Sequence, residues 1–348
     1  MQPWFENLLP GFGGQCAPAL TATACFASQN SSAFANLNLS SLFLNMDVYR
    51  AFQLGLPSFD NTQVVDLFTR TSRDNSNYNA LVVDLRNNAW HGLLFDLNYT
   101  FSKSLDTVGA VQNDARYYSS SFNPHLDYGP SFFNRPHVFN AIFNYELPFK
   151  SHVGFVNKLI GGWYTSGIFR ASSGVPELVT ISGQPFGGGL IFGTPSGEIA
   201  TVPVSSLGGG SVHSGVCSSG AGSSGNGSGC STSGTGTGLN YFGDPATAIT
   251  KFRPALLATD TNDGRNNPLQ GLGFWNLDLG FGKSTAIAET VKAEFSFNCF
   301  NVFNHTNFLD PSFDVTNPSA FGVINTQLIP ADRLSGSRWI QFALRLSF

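Results

Sequence analysis

The chain has 348 residues and a formal net charge of −4, and charged residues make up only 11% of it. That fraction is well below the roughly 25% of ordinary soluble domains, and the negative balance offers no basic surface for nucleic acid. Aromatic residues make up 14%, yet no run of about 18 apolar residues could cross a bilayer as a helix. This composition favours alternating strands that face lipid on one side.

Residues 1–75 are rich in Gly, Ala, Ser and Asn as far as Ser41, which indicates a loop-rich region upstream of the main fold. A short alternation of apolar residues within 42–54 is the exception. It consists of Leu42, Leu44, Met46 and Val48. Period two is typical of a strand, so this segment predicts one short strand.

Four of the five cysteines form two close pairs in polar sequence, Cys16 with Cys25 and Cys217 with Cys230. Metal sites usually have two to four residues between paired cysteines and a His nearby, and these pairs have neither. We therefore expect disulfides formed in an oxidising compartment. Cys299 lies within a strand pattern and is interpreted as a small apolar residue.

From Tyr78 onwards, apolar and polar residues alternate regularly, which is the period of a strand with two different faces. In the second segment, for example, Phe95, Leu97 and Tyr99 alternate with Asp96 and Asn98. At Cys299 and Phe300 the alternation changes phase, which predicts a bulge or the membrane edge. The six predicted strands before the last one cover about 78–86, 92–103, 135–149, 162–173, 273–284 and 290–303.

The last twelve residues, 337–348, predict a seventh strand. Its bulky apolar row is Ile340, Phe342, Leu344, Leu346 and Phe348, and a smaller or polar row, Gln341, Ala343, Arg345 and Ser347, lies between. A soluble sheet would bury the apolar row against a second layer, whereas an outer-membrane barrel would turn it towards lipid.

The connections between the predicted strands alternate strictly between short and long. The short ones are 87–91, 150–161 and 285–289, and the long ones are 104–134, 174–272 and 304–336. This pattern is typical of a membrane barrel with short periplasmic turns and long extracellular loops, and it places the carboxy-terminus on the periplasmic side. Within the longest connection, residues 204–239 are almost entirely Gly, Ser and Thr, which predicts a mobile loop.

Four tryptophans lie at or near predicted strand ends: Trp90, Trp163, Trp275 and Trp339. Aromatic residues at both ends of the strands form the interfacial girdles of membrane barrels. We expect such a girdle here, with ordinary packing as the alternative.

Several segments resemble, in their order along the chain, the barrel of the Oar-like group of TonB-dependent outer-membrane receptors. They are Ser76–Leu81, Phe95–Leu105, Asn134–Phe139, Gly161–Trp163, Gly273–Asp278, Phe300–His305 and Gln341–Phe348. The resemblance covers about 76–348. It implies an all-β fold, an antiparallel transmembrane barrel segment with long extracellular loops, which contributes about seven or eight strands to a larger barrel.

The resemblance also implies a barrel of about 22 strands filled by an amino-terminal plug. We find no plug-like region, TonB-contacting segment or secretory signal in the sequence, so the chain is interpreted as the carboxy-terminal part of such a receptor. The implied partners are outer-membrane lipid, the barrel assembly machinery, which would read the row ending at Phe348, and TonB only through a missing amino-terminal region. No motif in the sequence identifies the substrate.

No catalytic motif appears in the sequence: there is no HExxH helix and no G-x-S-x-G nucleophile elbow. Segment Gly280–Thr285 imitates a phosphate loop, but Leu277 stands where that pattern needs its first Gly. We expect neither enzymatic activity nor a cofactor. Two other functions stay open: a small self-contained porin-like or adhesive outer-membrane barrel, and a secreted soluble β-sandwich that binds glycans.

Overall fold

The structure is a computed structural model of the chain. It describes residues 4–18, 20–35, 39–59, 74–107, 123–181, 196–214, 238–254, 268–287, 290–329 and 335–348.

Seven long strands form the main body of the fold, and we number them β1 to β7 in chain order. They are β1 (Ser76–Trp90), β2 (Leu93–Asp106), β3 (His137–Glu146), β4 (Trp163–Ser172), β5 (Phe274–Ala286), β6 (Lys292–Phe300) and β7 (Trp339–Ser347).

All seven strands belong to one antiparallel sheet, in which each strand pairs with its neighbour in the chain. A two-residue strand, Gly129–Pro130, extends the sheet beside β2. The seven strands predicted from alternation are therefore confirmed, and so is the antiparallel all-β class of the sheet. Among the described residues, β1 and β7 do not pair with each other, so the sheet has two open edges.

The connections alternate as the sequence predicted, so we name the two ends of the sheet by them. At the short-connection edge, His91 and Gly92 alone join β1 to β2, with φ of 51° and 84°. Positive φ at both central residues defines the hairpin turn whose twist matches that of the flanking strands. Residues 147–162 and 287–291 are the other two connections at this edge. At the long-connection edge, residues 107–136, 173–273 and 301–338 join the strands.

The strand lengths fit a bilayer. β3 and β4 have 10 residues each, and β6 and β7 have 9, within the roughly 9–11 residues that a tilted transmembrane strand needs. β1, β2 and β5 are longer, with 15, 14 and 13 residues. β1 and β2 pair with each other over nearly their full length, and β5 is longer than both of its partners. These three strands therefore project beyond the common band.

The region upstream of the sheet is helical, so the strand predicted within 42–54 is wrong. Residues Leu39–Val48 form an α-helix that continues as a π-helix, Tyr49–Gln53. Leu42 and Met46, one helical turn apart, are buried, whereas Leu44 and Val48 are exposed. The spacing of these apolar residues fits both the two-residue period of a strand and the 3.6-residue period of a helix, and the segment folds as a helix. The other helices here are Trp4–Leu8, Gly13–Cys16, Ala22–Gln29 and Ser31–Ala35.

These helices surround a small core of their own, which includes Leu9, Phe12, Phe26, Leu42 and Met46. A disulfide joins Cys16 to Cys25, as the sequence predicted, across a separation of 9 residues. Glu6 accepts hydrogen bonds from the backbone N–H groups of Ala22 and Thr23, both at 2.9 Å. It thereby satisfies free donors at the start of the helix Ala22–Gln29. No helix among the described residues is long and apolar enough to cross a membrane.

The long connections also contain structure that the sequence did not predict. Residues 174–272, interpreted as an extended loop, hold short strands that pair in three groups. Pro176–Glu177 pairs with Leu269–Gln270, Ser196–Ala200 with Thr180–Ile181 and Phe252–Pro254, and His213–Ser214 with Leu239–Asn240. Short helices in the long connections are Pro124–Asp127, Val204–Leu207 and Pro245–Ile249, and a further helix, Gly154–Ile160, lies in the connection 147–162.

The longest connection and the β6–β7 connection share one buried core. Tyr241 and Phe242 from the first pack against Phe313, Phe321 and Ile324 from the second. The rings of Phe242 and Phe321 stack with centroids 5.3 Å apart, and Tyr241 meets Phe313 edge-on at 4.9 Å. We call this folded body, built from 174–181, 196–214, 238–254, 268–272 and 301–329, the cap. It lies at the long-connection edge.

Candidate functional site: the two faces of the sheet and the cap

The pairing register places the apolar rows of all seven strands on the same face of the sheet. Along one level of the sheet, for example, Phe143 is opposite Gly167, which is opposite Leu279, which is opposite Cys299. We call this the apolar face. It includes Leu81, Val83, Leu85, Leu93, Phe95, Leu97, Tyr99, Phe101, Phe139, Ala141, Phe143, Tyr145, Phe169, Trp275, Leu277, Leu279, Phe281, Phe295, Phe297, Ile340, Phe342, Leu344 and Leu346.

Among the described residues, no protein layer lies against the apolar face at β7. Phe342 and Leu344 are 66% and 69% exposed, and the terminal Phe348 is 93% exposed. Burying such side chains in an apolar phase is worth about 1.5–3 kcal/mol each. The row predicted at the carboxy-terminus therefore lies on one face as expected, and that face needs an apolar environment.

A glycine keeps the apolar face smooth at its centre. A Cβ atom on Gly167 would lie 2.3 Å from Cε1 of Phe143 and 2.9 Å from Cδ2 of Leu279. The two side chains from the flanking strands thus cover the glycine backbone. Gly167 interrupts the apolar row of β4, and its neighbours supply the apolar surface there.

The opposite face, which we call the polar face, has amide and hydroxyl side chains aligned by the same register. One row crosses from β1 to β5 as Asp84, Asn98, Asn140, Arg170 and Asn276. A second row crosses from β3 to β7 as Asn144, Ser166, Gly280, Asn298 and Gln341. Between the two rows, Ile142 and Ile168 are the apolar exceptions.

Charges on the polar face are mixed in sign and held by neighbours. Arg86 contacts Asp84 at 2.7 Å and Asp96 at 3.1 Å. The hydroxyl of Tyr164 donates to Glu294 at 3.0 Å, and Glu294 is opposite Arg345 in the register. Lys292 also belongs to this face. Mixed, partnered charges suit a wet surface with no strong field of one sign.

The four tryptophans lie at the strand ends, but they do not share a face. Trp90 and Trp163 are at the short-connection edge and Trp275 at the long-connection edge, all in register with the apolar face. Trp339 is opposite Phe300, one residue out of phase with that face, and their rings stack at 4.6 Å. Its predicted place in a lipid-facing girdle is therefore wrong.

The same pair explains the change of phase in β6. The β6–β7 register runs without a shift from Lys292 to Phe300, so no bulge is present. The strand ends at Phe300, and Asn301 follows with a φ of 51°. Phe300 is thus a polar-face residue at the long-connection edge, where it packs on Trp339.

Lys283 is the charged residue of β5 whose register position is on the apolar face. It lies at the short-connection edge, where its Nζ donates to the carbonyl oxygens of Leu159 at 2.7 Å and Gly161 at 2.8 Å. The Nζ is also 4.9 Å from the centroid of the Trp163 ring. A lysine costs little at a membrane interface compared with the bilayer centre, and this one turns its charge away from the centre.

Asn240 joins the two halves of the cap. It is fully buried, its Nδ2 donates to the carbonyl of Phe321 at 3.0 Å, and its Oδ1 accepts from the N–H of Phe242 at 2.9 Å. The N–H of Tyr241 donates to the carbonyl of Gly322 at 2.8 Å. Because a buried polar group without a partner costs about 1–3 kcal/mol, these bonds fix how the two connections meet.

A pair of carboxyl groups lies inside the cap beside Tyr241. Burial, reinforced by the neighbouring charge of Asp310, raises the pKa of Glu177 to about 7. Burial likewise raises the pKa of Asp310, whose Oδ1 accepts the N–H of Leu272 at 2.5 Å. The Tyr241 hydroxyl donates to the carbonyl of Gln270 at 2.6 Å, and burial raises its pKa well above the usual value. Burial thus disfavours the charged forms of both carboxyl groups.

Other predicted sites can be placed only in part. Cys217 and Cys230, with most of the Gly/Ser/Thr-rich segment, lie outside the described residues, so their disulfide stays a prediction. Cys299 is a free thiol on the apolar face. Within the described ranges, no group of three or more His, Cys, Asp or Glu side chains could hold a metal ion.

A single antiparallel sheet, apolar on one face and polar on the other, with alternating short and long connections, defines the wall of an outer-membrane β-barrel. Comparison with known families agrees. The family model described as an outer membrane beta barrel domain matches residues 21–341, and the chain belongs to that family. No curated protein sequence matches the chain.

Family membership fixes the environment of the sheet. The protein is localised in the outer membrane, so the apolar face meets lipid and the polar face lines the interior. The short-connection edge is periplasmic and the cap is extracellular. The soluble β-sandwich alternative is therefore wrong. The match begins at residue 21, so the helical region Ala22–Gln53 falls within the family's domain.

The carboxyl pair predicts a pH dependence of the cap. Because the folded-state pKa of Glu177 is raised above its ordinary value of 4.5, its contribution to stability is full below about pH 4.5. It is lost as the pH rises through about 7. We expect amide hydrogen exchange in 268–273, corrected for intrinsic pH effects, to quicken between pH 5 and pH 8.

The substitution Glu177→Gln gives a neutral group of the same shape at every pH. Exchange in that variant should stay slow and nearly independent of pH over the same range. Equal pH dependence in the variant and the wild type would remove Glu177 from this role.

Proposed function

We propose that the chain forms part of the barrel wall and of the extracellular ligand-binding surface of a TonB-dependent outer-membrane receptor. The observation that carries the proposal is the cap. The wall of a passive pore needs only connections that join consecutive strands. Here two connections form a folded body with a buried aromatic core, and the buried Asn240 joins them.

The polar face supports a role in handling a polar ligand. Its two rows present amide donors and acceptors to the interior, and its charges are of both signs. Asn and Gln side chains both donate and accept hydrogen bonds. Such a wall suits a polar ligand of low net charge better than a strongly anionic or cationic one.

The open edges support a larger wall. A bacterial single-chain barrel has an even number of strands, and seven long strands, of which β1 and β7 do not pair with each other among the described residues, do not close one. In the proposed receptor, further strands pair with these edges. The small self-contained barrel has no specific observation in its favour.

The proposed assembly signal is the apolar row of β7 that ends at Phe348. Its side chains are exposed on the apolar face, at the periplasmic edge where the assembly machinery would meet the newly exported chain. We propose that the terminal aromatic is what this machinery recognises.

Conductance and TonB binding together test the receptor function. The protein is extracted from its native outer membrane in mild detergent and reconstituted into planar bilayers. We expect no steady channel conductance, because a receptor is closed at rest, and we expect capture by the immobilised periplasmic domain of TonB. Stable open channels without TonB capture would overturn the proposal in favour of a porin.

Deletion of Phe348 tests the assembly signal separately. We expect at least a several-fold lower amount of folded protein in the outer membrane, measured as the heat-modifiable band on a gel. The matched control is Ser347→Ala, which changes a polar-face neighbour and should assemble like the wild type. Equal assembly of the deletion and the control would refute the role of Phe348.

A further inference from the structure

A pocket of about 600 Å³ opens where the apolar face meets the cap at the extracellular edge. Its floor consists of apolar-face side chains from three adjacent strands, Phe139 of β3, Phe169 and Ala171 of β4, and Trp275 of β5. Its walls are the cap segments 210–212 and 305–308. This volume lies in the usual range of small-molecule sites.

Aromatic rings make the pocket a continuous apolar surface. The ring centroids of Phe139 and Phe169 are 5.9 Å apart, and those of Phe169 and Trp275 are 6.5 Å apart. His305 stacks on Trp275 at 4.0 Å, and burial lowers its pKa, which favours the neutral ring. Asn307 fixes the start of β5 by bonding both the N–H and the carbonyl of Trp275.

The pocket floor is continuous with the lipid-facing surface. Phe139, Ala171 and Trp275 are in direct register with one another on the apolar face. They lie within the first three or the last two residues of their strands. The floor therefore lies at the level of the outer leaflet, where a lipid can reach it from the membrane.

The rim carries a positive charge. Arg135, just before β3, donates from Nη1 to the hydroxyl of Ser172 at 3.2 Å and to the carbonyl of Ser173 at 2.8 Å. Both serines line the pocket. Arg135 is exposed, and its charge also acts on the Asp310 carboxyl, whose pKa it lowers against the effect of burial. The remaining donors of the guanidinium match the oxygens of a phosphate.

We propose that this pocket binds a phosphorylated lipid of the outer leaflet, with one acyl chain on the aromatic floor and a phosphate at Arg135. The lipid holds the cap against the barrel wall, because its chain contacts segments of both. The site does not depend on coupling to TonB.

Native mass spectrometry of the detergent-extracted protein tests the proposal, with purified lipid A as the probe and diacylglycerol, which has acyl chains but no phosphate, as the comparison lipid. The wild type should retain one lipid A under activation that removes diacylglycerol. Ala171→Trp fills the floor and should lower lipid A retention at least tenfold. Arg135→Gln should lower the retention of lipid A without changing that of diacylglycerol.

Ala141→Trp is the matched control, because Ala141 lies on the same apolar face but outside the pocket. It should retain lipid A like the wild type. Heat-modifiable gel mobility verifies that both tryptophan variants fold. Equal retention by the two variants, or no preference of the wild type for lipid A over diacylglycerol, would overturn the proposal.

Discussion

The structure depends on one constraint: a strand in lipid must satisfy its backbone hydrogen bonds with neighbouring strands while keeping its apolar side chains on a single side. Side chains alternate with period two, so a slip of one residue would turn a whole apolar row inwards. In this chain the six pairings between long strands agree on one face. The register and the alternation therefore specify each other.

The ends of the sheet are specified by other interactions. At the periplasmic edge, a two-residue turn with two positive φ values joins β1 to β2, and Lys283 directs its charge to backbone carbonyls beside Trp163. At the extracellular edge, the polar face ends at the stacked rings of Phe300 and Trp339. Above them the cap is held by Asn240 and by aromatic packing. The proposed receptor function depends on that cap, and the proposed lipid site on its junction with the wall.

The sequence was sufficient for the parts of the fold that repeat. Each long strand spans 9 to 15 residues and alternates clearly enough to be predicted within a few residues. The Cys16–Cys25 disulfide was also predictable, because the two residues are close in the chain. These features are local, so their signal lies within one stretch of sequence.

The features that the sequence did not predict depend on distant contacts. Tyr241 and Phe242 are two isolated aromatic residues in a polar segment, and their partners Phe313 and Phe321 lie more than 70 residues further on. Leu42 and Met46 fit both a strand and a helix, and packing against Phe12 and Phe26 favoured the helix. The carboxyl groups of Glu177 and Asp310 come from two different connections, so their raised pKa values could not be predicted from either segment alone.

A spin-label scan along β7 tests the central claim, the lipid-facing and interior assignment of the two faces. Single labels are placed in turn at 340–346 of the protein in its membrane, in a background without other free thiols. We predict that collisions with oxygen, which is enriched in lipid, peak at 340, 342, 344 and 346. Collisions with a water-soluble nickel complex should peak at 341, 343 and 345. Equal access of both reagents at every position, or the opposite phase, would contradict the account.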